Sequence, residues 1–178
     1  MPILEKEFYT KDTLTVAKNL LGKILCRKID GKILKGIIVE TEAYTQDEPS
    51  CHAYKGKTKR CATLFNSGGY AYVYFTYGMY HCLNISTDKE NYGSGVLIRA
   101  LEPLENLDNT NGPAKLCREM KITKELDGVD VTQKNSDLWI EDGQNINKIV
   151  QTTRIGIKVA TDLKWRFYIK DNKWVSKK

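Results

Sequence analysis

The fold is decided by residues 23–44, which read KILCRKIDGKILKGIIVETEAY. Residues 23–30 and 33–44 are rich in isoleucine and other side chains that are typical of β-strands. Asp30 and Gly31 stand where the first stretch ends, and this pair favours a two-residue hairpin turn that separates the two strands. The stretch therefore predicts an antiparallel strand pair, and we expect the rest of the chain to extend the sheet that it begins.

Strand patterns recur after this pair, and helical patterns are few and short. Amphipathic helices are predicted over residues 14–21 and 114–120. Further strands are predicted at 70–77, 80–86, 95–101, 138–141, 152–160 and 165–170. These elements indicate an α+β fold, a single compact domain built on a mainly antiparallel, curved β-sheet with peripheral helices and a protruding β-hairpin.

Length and composition limit the class of protein. The chain has 178 residues, of which 41% are hydrophobic and 28% are charged, and this is the profile of a globular protein. Because it has no internal repeat and no linker-like stretch, we expect one domain over residues 1–178. Apolar stretches such as 70–75 are far shorter than the roughly 20 residues that cross a bilayer. Residues 1–7 lack the pattern of a signal peptide, so we expect a cytoplasmic protein without membrane contact.

The net charge of +6 suits a polyanionic partner such as nucleic acid. Each lysine or arginine that meets a phosphate releases a condensed counterion, which favours binding. A protein that is merely basic remains the alternative at this point. The polar segment 45–67 contains Arg60 and several lysines, and loops of that length in a compact domain are usually functional.

The cysteines indicate neither disulfides nor a metal site. They are odd in number, widely spaced and without a CxxC pair: Cys26, Cys51, Cys61, Cys82 and Cys117. A zinc site would need adjacent ligands such as Cys51-His52 to point at one ion, which is rare. We therefore expect free thiols, and we predict no metal and no cofactor.

Two carboxylates lie close together on one predicted strand. In residues 36–44 the strand period of two places Glu40, Glu42 and Tyr44 on one face. Arg99 lies inside an apolar run, where an unpaired guanidinium would be costly, so Glu42 or Glu40 is expected to pair with it. A solvated strand edge or a structural ion pair would explain the same pattern. A water-activating catalytic site is the functional interpretation.

Residues 70–77 contain an unusual density of tyrosines. The strand period places Tyr70, Tyr72 and Tyr74 on one face, and ordinary packing in a β-sheet core would explain much of this. Tyr77 differs because it immediately precedes Gly78-Met79, a pair suited to a tight two-residue hairpin. A ring at such a stiff turn could act as a wedge in a stack of nucleic-acid bases.

Taken together, ordered blocks across nearly the whole chain resemble the alkyladenine (3-methyladenine) DNA glycosylase family, in its compact bacterial form without a long N-terminal extension. The blocks are residues 20–23, LLGK; 39–44, VETEAY; 77–80, YGMY; 83–86, LNIS; 97–103, LIRALEP; 112–117, GPAKLC; 166–169, RFYI; and 174–176, WVS. Their number and order are more specific than any single motif.

The resemblance implies a base excision repair enzyme that flips alkylated or deaminated purines from duplex DNA and hydrolyses their glycosidic bond. Its substrates would be 3-methyladenine, 7-methylguanine, hypoxanthine and ethenoadenine in double-stranded DNA. It would work as a monomer without cofactors, in the bacterial cytoplasm near the nucleoid.

The same resemblance implies a role for individual residues. Glu42 would be the general base that activates a water, which Arg99 and the backbone carbonyl of Ile155 would hold. The flipped base would lie in a pocket, and Tyr77 would fill the gap that it leaves. The pocket residues would be Tyr44, His52, Tyr74 and Asn84, and the DNA-binding residues would be Arg60, Gly78, Met79 and Lys115.

Two other functions remain open at the level of sequence. A non-catalytic nucleic-acid-binding module would use the tyrosines for stacking and the lysines for phosphates. It leaves the pairing of Arg99 with glutamates unexplained. A glycosylase with lyase activity would need a lysine for a Schiff base, and none occurs among the residues that the resemblance assigns to the pocket.

Overall fold

The computed structural model describes residues 1–76 and 78–177. The helices are short: α1 (Lys6–Tyr9), α2 (Thr13–Asn19) and α3 (Pro113–Glu119), with 3₁₀ turns at Ala62–Phe65 and Lys124–Leu126. The strands are β1 (Ile24–Ile29), β2 (Lys32–Thr45), β3 (Ala71–Thr76), β4 (Tyr80–Ser86), β5 (Ser94–Glu105), β6 (Leu138–Glu141), β7 (Ile149–Thr152) and β8 (Arg166–Ile169).

Strand β2 lies at the centre of a single sheet of eight antiparallel strands. The order is β3-β4-β5-β2-β1-β6, and β8 pairs with both β2 and β7. One edge of β2 pairs with β5, while the other pairs with β1 up to Ile37 and then with β8 over residues 40–42. The middle of β2 therefore has a strand on each side, which pairs its backbone groups, and the side chains of residues 38–43 are all buried.

The predicted fold class is confirmed, because the described chain forms an α+β domain around a curled antiparallel sheet. The hairpin between β1 and β2 is also confirmed. Asp30 and Gly31 have φ angles of 51° and 73°, and two positive φ angles in succession match the right-handed twist of the strands that they join.

Helix α2 covers one face of β2 and fixes its orientation. Asp12 caps the helix by accepting a hydrogen bond of 3.0 Å from the amide of Thr15. Val16 and Ala17 are fully buried in the main core. The hydroxyl of Thr41 donates to the carbonyl of Ala17 over 2.8 Å. Because side chains alternate along a strand, Thr41 facing the helix turns its neighbours Glu40 and Glu42 to the opposite face.

The pairing between β2 and β5 is irregular where the acidic residues lie. Glu40 pairs with Ala100 and Thr41 pairs with Ile98, so the register passes over Arg99. Such a bulge adds one residue to a strand and re-aims a side chain. Here it directs the Arg99 guanidinium to both carboxylates of β2.

Two predictions about local structure are wrong. Residues 152–160 do not form a strand, since β7 ends at Thr152 and the following segment is a loop with Gly156 at a φ of 79°. Alternating apolar residues there line a cavity instead of a sheet. The hairpin between β3 and β4 has three connecting residues rather than two, because Thr76 pairs with Tyr80. Tyr77 lies outside the described residues.

Candidate active site

A cavity of about 530 Å³ is bounded by β2 to β5 and by two loops, residues 49–60 and 155–159. Its rings are Tyr44, His52, Tyr72 and Tyr74, and other lining residues include Arg60, Leu64, Cys82, Asn84, Leu97, Arg99 and Ile155. Small-molecule sites typically have volumes of about 300–1,000 Å³ and a few polar groups in an apolar wall. The cavity therefore suits a flat, ring-shaped ligand that stacks on aromatic faces.

Glu42 lies directly behind the wall of this cavity. Its side chain has no exposed surface, and three residues of the wall contact its carboxylate. The Tyr44 hydroxyl donates to Oε2 over 2.7 Å, the Ile155 amide donates to Oε1 over 2.8 Å, and Arg99 Nη1 lies 3.3 Å from Oε1. The structure thus brings Glu42, Arg99, Tyr44 and Ile155 together, as the sequence interpretation expected. Ile155 contacts Glu42 through its amide; the role of its carbonyl stays a prediction.

Glu40 has different partners from Glu42. Its Oε1 lies 2.7 Å from Arg166 Nη1 and 3.4 Å from Arg99 Nε, and its Oε2 accepts from the Ser176 amide over 2.7 Å. Glu40 is thus held by β8 and by the segment after it, while Glu42 adjoins the cavity. The carboxylates of Glu40 and Glu42 balance the charges of Arg99 and Arg166, which offsets the cost of burying each of these groups.

His52 and Tyr74 form an aromatic corner of the cavity. Their ring centroids are 4.6 Å apart at an angle of 75°, and His52 Nδ1 lies 2.9 Å from the Tyr72 hydroxyl. Burial lowers the pKa of His52, and the nearby charge of Arg60 adds to this effect. The imidazole is therefore neutral near pH 7, so this corner presents aromatic surface rather than a fixed positive charge.

The tyrosines of the wall are uncharged hydrogen-bond donors. Burial raises the pKa of Tyr44 well above its usual range, and the charge of Glu42 raises it further. Burial also raises the pKa of Tyr74, to which Cys82 adds. Each ring thus offers an electron-rich face at neutral pH, the kind of surface over which a cation is attracted.

Asn84 lies buried on β4, next to the aromatic wall. It is paired with Tyr72 in the register of β3 and β4, and its side-chain amide donates to the Tyr72 carbonyl over 3.5 Å. The structure thus places all four predicted pocket residues, Tyr44, His52, Tyr74 and Asn84, around one cavity.

A second cavity, of about 580 Å³, lies between the β3–β4 hairpin and α3, and we call it the hairpin groove. Lys115, Arg118 and Lys121 line one side of it. Met79, whose exposed fraction is 64%, lies on the other side. A basic surface beside exposed apolar side chains is typical of proteins that bind DNA and insert a wedge into it.

The four predicted DNA-binding residues lie at two places. Arg60 lines the first cavity, with its guanidinium carbon 6.0 Å from the Tyr74 ring. Gly78 and Met79 are exposed in the hairpin, and Lys115 lies in the hairpin groove, where it donates to Asn111 over 2.8 Å.

Within residues 1–76 and 78–177, no three His, Cys, Asp or Glu side chains are grouped so that they could hold a metal ion. The five cysteines are buried free thiols, and burial raises the pKa of both Cys26 and Cys51 to about 12. None of the helices in the described part of the chain is long and apolar enough to cross a membrane.

Residues 7–173 match the family model described as methylpurine-DNA glycosylase. The chain belongs to the methylpurine-DNA glycosylase family. The family resemblance noted in the sequence is thereby confirmed, and so is the expectation of a DNA glycosylase.

Proteins named "Putative 3-methyladenine DNA glycosylase" are similar to this member of the family over their whole lengths. The protein of Clostridium botulinum is 50% identical, with 99% of this chain and 100% of the relative covered. The protein of Carboxydothermus hydrogenoformans is 47% identical, with 99% of this chain and 100% of the relative covered. The protein of Methanocella arvoryzae is 43% identical, with 100% of this chain and 98% of the relative covered.

Sequence reasoning missed several residues of this candidate site. Tyr72 was assigned to core packing, yet it lines the cavity. Lys158 also lies in the cavity wall as an exposed residue, a lysine that the resemblance did not assign to the pocket. Glu48 and Arg154 form a buried ion pair whose members are 106 residues apart. Glu48 lies in the polar stretch TQDEPS and Arg154 in QTTRIG, so no local signal in the sequence marks the pair.

Proposed function

We propose that this family member excises alkylated and deaminated purines from duplex DNA by hydrolysing the bond between base and sugar. One observation carries the proposal: a buried carboxylate, that of Glu42, lies behind an aromatic cavity and is held by three residues of its wall. A binding module needs the aromatic cavity, but it has no use for a carboxylate held in this way.

In the proposed reaction Glu42 is the general base. An ionised carboxylate has about four acceptor positions. Among the described residues, two donors meet Oε1 and one meets Oε2, which leaves one acceptor position on Oε2. Because the side chain has no exposed surface, the cavity wall would have to shift before a water could donate to that position. Arg99 and the carbonyl of Ile155 would hold this water against the anomeric carbon. Transfer of its proton to Glu42 as the bond to the base breaks would contribute about 10²–10⁴-fold to the rate.

The aromatic wall would hold the flipped base. Tyr44, His52 and Tyr74 offer ring faces, and Asn84 would border the floor. A purine alkylated on a ring nitrogen is positively charged, and a cation over an aromatic face gains roughly 0.5–2 kcal/mol. Such a base is also a good leaving group, so we expect 3-methyladenine and 7-methylguanine to be released fastest. Hypoxanthine and ethenoadenine are neutral and would also need a proton donor.

The exposed hairpin would open the duplex. Extruding a base costs a few kcal/mol of stacking and pairing. Tyr77 would fill the gap in the stack, while Gly78 and Met79 approach the groove of the DNA. Arg60 and Lys115 would contact phosphates on either side. We further propose that the protein acts as a monomeric single domain over residues 1–178, in the bacterial cytoplasm near the nucleoid.

The test uses duplexes that contain one hypoxanthine or one methylated purine. Released base is measured by chromatography, and strand breaks are measured before and after alkali. We expect free base, with breaks only after alkali. Release of no base would overturn the proposal. Breaks before alkali would identify a lyase, and Lys158→Ala would then test the lysine of the cavity wall.

A further inference from the structure

Arg154 lies behind Tyr44, outside the cavity wall. Its side chain has no exposed surface, and its guanidinium carbon lies 4.7 Å from the Tyr44 ring centroid and 5.3 Å from that of Trp165. Tyr44 therefore lines the cavity and also contacts a guanidinium that does not line it. Any charge on Arg154 that is not cancelled acts through this ring on whatever occupies the cavity.

Glu48 cancels that charge with two parallel contacts. Its Oε1 accepts from Arg154 Nη1 over 2.7 Å and its Oε2 accepts from Nη2 over 3.1 Å. The amide and hydroxyl of Ser50 also donate to Oε2, over 2.8 and 2.6 Å. A paired fork of this kind is the strongest arrangement of arginine and carboxylate. The side chains of both Glu48 and Arg154 are buried, so solvent and salt screen their charges little.

The pair also joins the two loops that bound the cavity. Glu48 belongs to the segment that continues into the wall residues Ser50 and His52, while Arg154 directly precedes Ile155. Arg154 donates further to the carbonyl of Ala43, over 3.0 Å. Both the charge behind Tyr44 and the position of the wall therefore depend on the same two side chains.

We propose that the Glu48–Arg154 pair determines the charge preference of the cavity. Since Glu48 neutralises the guanidinium behind Tyr44, the ring is left free to receive a positively charged purine on its cavity side. This inference rests on the proposed function. Both residues act through Tyr44 and the loops and not on the reacting atoms, so they are specificity-determining rather than catalytic.

The test separates charge from packing with three variants: Glu48→Gln, Arg154→Gln and the double variant. The measured quantity is the ratio of kcat/KM for a cationic methylpurine to that for neutral hypoxanthine. Glu48→Gln leaves a positive charge behind Tyr44, so the ratio should fall about tenfold. Arg154→Gln leaves a negative charge, so the ratio should rise. The double variant is neutral again and should return close to the wild-type ratio, whatever its overall rate.

The matched controls are Glu141→Gln and Arg27→Gln. Glu141 is buried with Lys35 as its partner, and Arg27 is buried with the carbonyls of Lys28 and Asp137, all away from the cavity wall. Both controls should lower Tm and leave the substrate ratio unchanged. If Glu48→Gln does not fold, Arg154→Gln and the double variant still give different expectations, a raised ratio for the first and the wild-type ratio for the second.

An equal loss of kcat/KM on both substrates in every variant would overturn the inference. The pair would then serve only to hold the two loops together. Failure of the wild-type protein to release any base would instead overturn the proposed function. The two failures are therefore distinguishable in the same set of measurements.

Discussion

Tyr44 and Glu42, two residues apart on β2, are joined by a hydrogen bond of 2.7 Å from the phenol hydroxyl to the carboxylate. The ring of Tyr44 lines the cavity, so the same side chain would stack on the flipped purine and orient the carboxylate of Glu42 behind it. Recognition and proton transfer would then share one side chain, and removing its hydroxyl should separate the two.

We expect Tyr44→Phe to lower kcat about tenfold with little change in KM. A hydrogen bond to a charged group is worth about 1.5–3 kcal/mol, whereas the ring that stacks on the base is kept. Tyr44→Ala, which removes the ring as well, should lower kcat and raise KM. Single-turnover rates over a range of enzyme concentrations measure both effects. A phenylalanine variant with a raised KM and normal kcat would argue against this division of roles.

Glu42→Gln should lower the rate of base release by about 10²–10⁴-fold, because the amide cannot accept the proton of the water. Binding to DNA with an abasic-site analogue should be largely retained, since the shape of the side chain is preserved.

Glu40→Gln should act mainly on stability, because it leaves the buried Arg99 and Arg166 short of a counter-charge, at a cost of about 3–5 kcal/mol. Calorimetry and single-turnover kinetics distinguish the variants. An inactive Glu40→Gln beside an active Glu42→Gln would show that Glu40 is the base.

The stability of the protein should decrease in mild acid because of His52. In the unfolded chain a histidine takes up a proton below about pH 6.5, whereas burial lowers the pKa of His52 in the folded protein. The unfolded state then binds more protons, so the free energy of unfolding falls as the pH drops from about 6.5 towards the folded pKa. In His52→Asn, the free energy of unfolding measured by calorimetry should depend less steeply on pH. His81→Asn, which changes the second of the two histidines, should keep the steeper dependence.

Tyr77→Ala should slow base release most where flipping is hardest. Stacking between a base and an aromatic ring is worth about 1–3 kcal/mol, and an unpaired lesion has less stacking and pairing to give up. Single-turnover rates should therefore fall strongly for paired hypoxanthine and weakly for a mismatched one, with Tm nearly unchanged. A large loss of Tm, or the same loss on both substrates, would assign Tyr77 to the core instead.

The strands of this protein were predictable wherever one local pattern dominated. The Asp30-Gly31 turn and the alternation of Glu40 and Glu42 with Thr41 follow from neighbouring residues alone, and the structure retains both. Residues 152–160 carry a similar alternation and yet form no strand beyond Thr152, where β7 ends. There the alternating side chains meet a cavity, and a local pattern does not reveal whether another strand will lie alongside.

By itself, the sequence determined the family, the central strand pair and the requirement that Arg99 find a carboxylate, because a guanidinium in an apolar run has few alternatives. The tertiary structure decided how the charges are shared. Arg99 contacts both glutamates, Arg166 from β8 balances Glu40, and the Ile155 amide reaches Glu42 from 113 residues away. Contacts over such separations depend on how the loops cross the finished sheet, and this is set by packing in three dimensions rather than by any pattern along the chain.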